Sequence, residues 1–208
     1  MIPISLLLMT IVGMPLNPIP ANHVVISEIM VSPTSNQDYF VELYNPTSTT
    51  KSLSNYQLQA PSVSLLIPEG TAIEPYSFLL LGQVSASWPS AWVQPDLLYE
   101  DMGIRTNCGV RLMNSQNQAV DIVGWGAAPL SFYETTPVSE PSTGQSLERK
   151  SGLVHEENAG NGRDTDNNSL DIIKRDTPQP QNTYSPPERP AAGAESTGWG
   201  MIKAIYAG

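Results

Sequence analysis

Cysteine, histidine and basic residues are all scarce in this chain of 208 residues, and each shortage closes off a class of function. The single cysteine, Cys108, has no intramolecular disulfide partner, so whatever fold forms is held by its core alone. His23 and His155 lie in no Cys/His motif, and Cys108 therefore reads as a small buried hydrophobe instead of a reactive thiol. Only 10 Lys and Arg stand against 20 Asp and Glu, a formal net charge of -10. Nucleic-acid affinity comes largely from Lys and Arg displacing counterions from phosphates, so no nucleic-acid partner is expected. Anionic membrane surfaces are disfavoured for the same reason. The Ala/Leu/Glu/Lys periodicity of helical bundles is missing, which favours an all-β chain. Also absent are His-Glu-x-x-His, Gly-x-Ser-x-Gly, a Walker loop and Cys-x-x-Cys, so no catalytic residues are assigned and no enzyme is expected.

What the chain does contain is a rhythm of short β-rich runs broken by turn residues. Strands are expected at 24–30, 39–45, 56–60, 77–82, 109–114, 119–124 and 145–149, with a short one near 63–67. In the second run, alternation sets Val41 and Leu43 on one face and Phe40, Glu42 and Tyr44 on the other, and Asn45-Pro46 ends it. This strand is expected to be central. Phe78-Leu79-Leu80-Leu81 is apolar on both faces, the pattern of a strand covered on both sides. The arms around Asn114 to Gln118 read as a hairpin.

The ends differ from this middle. The apolar run from Ile4 to Met14 has the length of a signal-peptide core and is too short to span a bilayer, so 1–21 is expected to be an export signal. No basic residue precedes that run, which leaves an apolar N-terminal strand as the alternative. Pro178 to Ala194 is rich in Pro, Gln, Ser and Ala, so the domain is expected to occupy 22–182, with 183–208 a flexible Pro/Ala-rich linker and a short apolar segment. In that segment Trp199, Ile202 and Tyr206 form a candidate partner-binding patch, or a strand that folds back onto the domain.

Two further groups of residues suggest binding. Asp164, Asp166 and Asn168 match the alternating oxygen ligands of a calcium loop, but Ser169 stands at the turn glycine and Arg175 at the bidentate Glu position. Calcium is thus one reading, and turn residues satisfying backbone amides the other. Trp88 and Trp92 lie in a loop, where they either stack on a sugar or partner surface or plug the open end of the core.

Taken in order, the segments Val25-Ile26-Ser27-Glu28-Ile29-Met30, Phe40-Val41-Glu42-Leu43-Tyr44-Asn45 and Leu53-Ser54-Asn55-Tyr56-Gln57-Leu58 resemble the lamin-tail domain. Ile67 to Thr71 with Ile73 to Tyr76 resembles that family's proline-bearing turn, and Leu112 to Val123 its late hairpin. Gly144 to Arg149, Gly162 to Asp171 and Thr177-Pro178 look like closing segments of its bacterial exported branch. The resemblance implies an immunoglobulin-like β-sandwich, in a family found in nuclear lamins and in many bacterial exported proteins. No heptads mark a lamin rod, and the acidic balance argues against chromatin binding. The expected role is a non-catalytic adhesion, anchoring or assembly module that contacts a protein or cell-envelope component. Its expected location is extracellular, periplasmic or the cell surface, with no transmembrane span after signal removal. A carbohydrate-binding module that takes a polysaccharide, or an accessory domain of a larger exported enzyme, is the alternative.

Overall fold

Alternating apolar residues need a second layer to bury against, and in this chain two sheets supply it to each other. The computed structural model describes residues 20–34, 38–85 and 87–191. Its strands are β1 (Val25–Met30), β2 (Phe40–Tyr44), β3 (Lys51–Ser52), β4 (Gln57–Ala60), β5 (Val63–Leu66) and β6 (Ala72–Ile73). They continue with β7 (Phe78–Gln83), β8 (Leu97–Tyr99), β9 (Gly109–Met113), β10 (Ala119–Gly124), β11 (Ser146–Arg149) and β12 (Ile172–Arg175). A six-stranded sheet in the order β12-β11-β1-β2-β7-β8 faces a four-stranded sheet in the order β10-β9-β4-β5, and β3 and β6 form a small ribbon. Among the described residues, helix is confined to a 3-10 turn at Leu130–Phe132 and a single turn, α1, at Asn168–Asp171. The fold is an immunoglobulin-like β-sandwich.

The expected strands are present, and β2 is interior to its sheet, hydrogen-bonded to β1 and β7. Val41 and Leu43 of β2, with Leu79 and Leu81 of β7, meet Leu58, Val110, Leu112 and Val123 of the facing sheet in the main core. Cys108 joins this cluster at 4 % exposure, and burial raises its thiol pKa. The opposite face of the six-stranded sheet is covered as well. There Phe78 packs on Tyr44, while Leu80 and Phe40 meet Trp88 and Trp92. The apolar-on-both-faces pattern of β7 follows from this double cover.

A bulge in β1 departs from simple alternation. The pairing with β2 shifts between Ile26 and Glu28, so Ser27 is the extra residue. Ile26 and Ile29 both reach the main core as a result, and Glu28 is turned to the outer face opposite Glu42. Sequence reasoning also missed β8 and β12: β8 is a three-residue parallel partner of β7, and β12 directly follows α1 and extends the sheet beyond β11.

The C-terminal boundary needs correction. The proline-rich stretch from Pro178, whose part beyond Asn182 is the expected flexible linker, is laid along the outer face of the six-stranded sheet as far as Pro190. Its polar groups find fixed partners there: Gln181 N donates to Glu42 Oε2 at 2.6 Å, Asn182 Nδ2 to Gln94 O at 2.9 Å, and Glu188 N to Tyr76 O at 2.8 Å. Tyr44 Oη donates to Glu188 O, and Gly160 N to Arg189 O. A Cβ at Gly160 would overlap the Tyr44 ring, so only glycine lets the chain pass there. The packed unit thus runs past Asn182. Residues 1–19 and 192–208, with Trp199, Ile202 and Tyr206, lie outside the described residues, as does all but the last part of the expected signal. Among the described residues no helix is long and apolar enough to cross a membrane.

Candidate binding groove and buried charge networks

Two polar regions stand out, one between the sheets and one on the outer face. The first is built on Arg149, the last residue of β11, which is fully buried. Its Nη2 bonds both oxygens of Asp121 at 2.8 Å, Nε donates to Ile26 O at 2.9 Å, and Nη1 donates to Arg163 O at 2.8 Å. Nη1 also lies 3.4 Å from Asp164 Oδ1. Asp121 in turn accepts the Ile26 N–H, so a single ion pair ties β10 of one sheet to β1 and β11 of the other. Burial pushes the Asp121 carboxyl up and Arg149 opposes that shift. Burial also works on Asp164, but the His23 ring and Arg149 outweigh it and hold Asp164 down at about 2. The Asp164 hydrogen bond raises His23 in return.

The calcium-loop residues are dispersed by this network. Asp164 faces Arg149 and His23, and the Asp166 side chain is exposed. Asn168 is buried: its amide donates to Ile122 O and to Glu134, and its Oδ1 accepts Gly124 N and Glu134 N. The carboxylates that do converge on Asp164 are Asp121 and Glu134, with oxygens within 4.8 Å of one another. Burial, with Asp121 nearby, lifts Glu134 to about 9, so it carries a proton at neutral pH. Arg149 already supplies positive charge at this cluster. Asp121 was not among the residues picked out from sequence, where alternation alone sets Val120 and Ile122 on one face and Asp121 on the other. A register shift in β10 places Asp121 opposite core residue Leu112.

The second region is a groove of about 510 Å³ on the outer face. Trp92 and Val93 line one side; His155, Glu157 and Asn161 line another; Thr177 to Gln181 and Glu188 complete it. Glu148 is at its floor, 2.7 Å from Arg175 Nε and accepting from Asn161 Nδ2 at 2.8 Å. Burial raises Glu148 to about 8 and lowers the pKa of His155, so at neutral pH both tend toward their uncharged forms. The groove is rimmed by Glu156, Glu157 and Glu188, and neither Lys nor Arg lines it. Of these residues only Trp92 was a binding candidate from sequence, since a groove made by segments far apart in the chain leaves no local pattern.

Trp88 and Trp92 are brought together on the outer sheet face. Each stands edge-to-face to Phe40, and the two ring centroids are 5.4 Å apart at 77°. Trp88 Nε1 donates to Val93 O. The pair caps the outer face of the six-stranded sheet and not the open end of the core between the sheets, with Trp92 also reaching the groove wall. Replacing both with Ala is expected to cost about 2–4 kcal/mol in urea unfolding, a little under the range for fully buried Trp because both rings are partly exposed. An unchanged midpoint with lost partner binding would assign them to recognition instead.

Neither histidine forms a nucleophile–base pair in the described structure: His23 is engaged by Asn22 and Asp164, His155 by Arg175, Glu148 and Glu157. A comparison with curated proteins finds none that matches the chain. A family model, that of the Lamin Tail Domain, matches residues 17–127, a span that includes β1 through β10. That is more than half of the chain, it contains the opening motifs and the late hairpin but not the closing segments from Gly144 onward, and its fold is the sandwich described above; the chain therefore belongs to the lamin tail domain family.

Proposed function

We propose that this protein is a non-catalytic binding or attachment module of the exported bacterial branch of its family, working outside the cytoplasm through protein–protein contacts. The observation that carries this reading is the acidic groove on the outer sheet face, where carboxylates and Trp92 border a concave surface. The apolar run at 4–14 supports export. The engagement of both histidines by neighbouring charged residues supports a non-catalytic role. The partner that suits the groove is a protein or cell-envelope component presenting positive or neutral polar groups. A second reading, polysaccharide binding, is favoured by Trp92 lying beside Asn158, Asn161, Gln179 and Gln181 in the same groove. Calcium near Asp164 is a third, weaker reading, because Arg149 already faces that carboxylate.

The test is a cross-linked pull-down of the tagged full-length protein from separated cell and culture fractions, with a parallel retention assay on cell-wall polysaccharide. Recovery outside the cytoplasm with one near-stoichiometric protein is the expected result. It should be weakened by Glu156→Lys with Glu157→Lys. Retention on polysaccharide without a protein partner would transfer the reading to carbohydrate, and cytoplasmic recovery would overturn export.

A further inference from the structure

The outer sheet face carries a row of buried carboxyls. In the register of β1 with β2 and with β11, Glu28 lies directly opposite both Glu42 and Glu148. Three glutamates thus form a row across three adjacent strands, with exposures of 2 %, 1 % and 7 % for Glu28, Glu42 and Glu148. Like charges directly opposite on neighbouring strands repel, and burial deprives them of the water that would screen them.

The segment Thr177–Gln181 lies over this row. The N–H of Gln179 donates to Glu28 Oε1 at 3.3 Å, and that of Gln181 to Glu42 Oε2 at 2.6 Å. From the sheet side, Ser146 Oγ donates to Glu28 and Ser27 Oγ to Glu42. On either flank the covering segment has further holds: β12 pairs with β11, Arg175 Nη2 donates to Gln179 Oε1 at 2.8 Å, and the turn at Asn182 is fixed to Gln94 O and Asp96. The charged and titratable groups facing the row are Arg175 from β12, His155 and Glu157 from the preceding loop, and Glu188 beyond the turn.

We propose that Thr177–Gln181 is a pH-sensitive latch, closed over the Glu28–Glu42–Glu148 row while the row holds protons and loosened as the row ionises. A lone buried carboxylate would hold the latch amides better when charged. Three in a row behave differently, because Arg175 compensates one of them and the others must be solvated. Water reaches them by displacing the segment that covers them. Since Thr177 to Gln181 also line the groove, loosening the latch removes one of its walls.

The direction of the effect follows from the carboxyls. Burial raises Glu28 to about 7 and Glu148 to about 8, and raises Glu42 well above its ordinary value, with Glu28 reinforcing the shift. A carboxyl whose folded pKa is raised contributes stability that is complete below the unfolded value and is lost as pH rises through the folded one. The latch is therefore tight in mild acid and loosens from about pH 7 to 8, in the opposite sense to an ordinary salt-bridged carboxylate.

The experiment is hydrogen–deuterium exchange on the full chain, corrected for intrinsic rates, at about pH 5 and about pH 8.5. Protection of the Gln179 and Gln181 amides is expected to fall by about tenfold or more at the higher pH, while the β7 amides stay unchanged. Glu28→Gln with Glu42→Gln is expected to flatten that difference. Because that variant could fail to fold, carbon-detected NMR titration of the glutamate carboxyls in the unaltered protein provides a second readout. Equal protection at both pH values, or row carboxyls that titrate in the ordinary range, would overturn the latch.

Discussion

Replacing Arg149 with Ala is expected to lower stability by about 3–5 kcal/mol, the range for removing one partner of a buried ion pair. At this chain length that is a fall in melting temperature on the order of 10 °C. The loss is large because the guanidinium serves several groups at once. Without it Asp121 remains buried and uncompensated, Asp164 loses one of the two groups, Arg149 and His23, that hold its pKa down, and the carbonyls of Ile26 and Arg163 lose donors. Arg149→Met combined with Asp121→Asn is expected to recover much of the loss, since an amide oxygen can still accept the Ile26 N–H while the unpaired charge is gone. The measurement is urea unfolding of each variant. A loss under about 1 kcal/mol in the single variant would show that the two sheets do not depend on this link.

Trp125→Ala is expected to cost about 3–5 kcal/mol through the cavity it leaves. Trp125 is fully buried in the main core just past β10, its Nε1 donates to Arg105 O at 3.0 Å, and its backbone N donates to Cys108 O. Its backbone forms a bridge with Val138, and both side chains join the main core, so this position anchors the long connection that leads to β11. Trp125→Phe keeps most of the volume but leaves the Arg105 carbonyl without this donor, and is expected to fall about 1–3 kcal/mol below the parent. Denaturant unfolding with an unchanged slope separates this from a change in the unfolded state. A Phe variant as unstable as the Ala variant would mean that the hydrogen bond, not the ring, dominates.

The candidate sites were less legible than the strands. Glu42 could be assigned to the face shared with Phe40 and Tyr44 by alternation alone, and the structure agrees. Its burial could not be foreseen, because the cover over it comes from Gln181, 139 positions later in the chain. Glu28 would fall on the core side under strict alternation with Ile26, and only the bulge at Ser27 turns it outward. The run at Asp164, read as half a calcium loop, owes its conformation to Arg149 and Asp171: Thr165 N and Oγ1 both bond the buried Asp171 carboxylate.

By itself the sequence determined the all-β class, the positions of the long strands, the interior place of β2, the double cover of β7 and the β9–β10 hairpin. These follow from side-chain periodicity and turn chemistry, which act between residues a few positions apart. Tertiary structure alone decided which buried charges meet, that β12 extends the sheet, and that the proline-rich stretch is packed as far as Pro190. A buried carboxylate must find whatever donor the completed fold brings to it, and Glu28 finds one in Gln179, 151 positions away. No local pattern encodes such a partner, because the bond exists only once both sheets and the segment laid over them are in place.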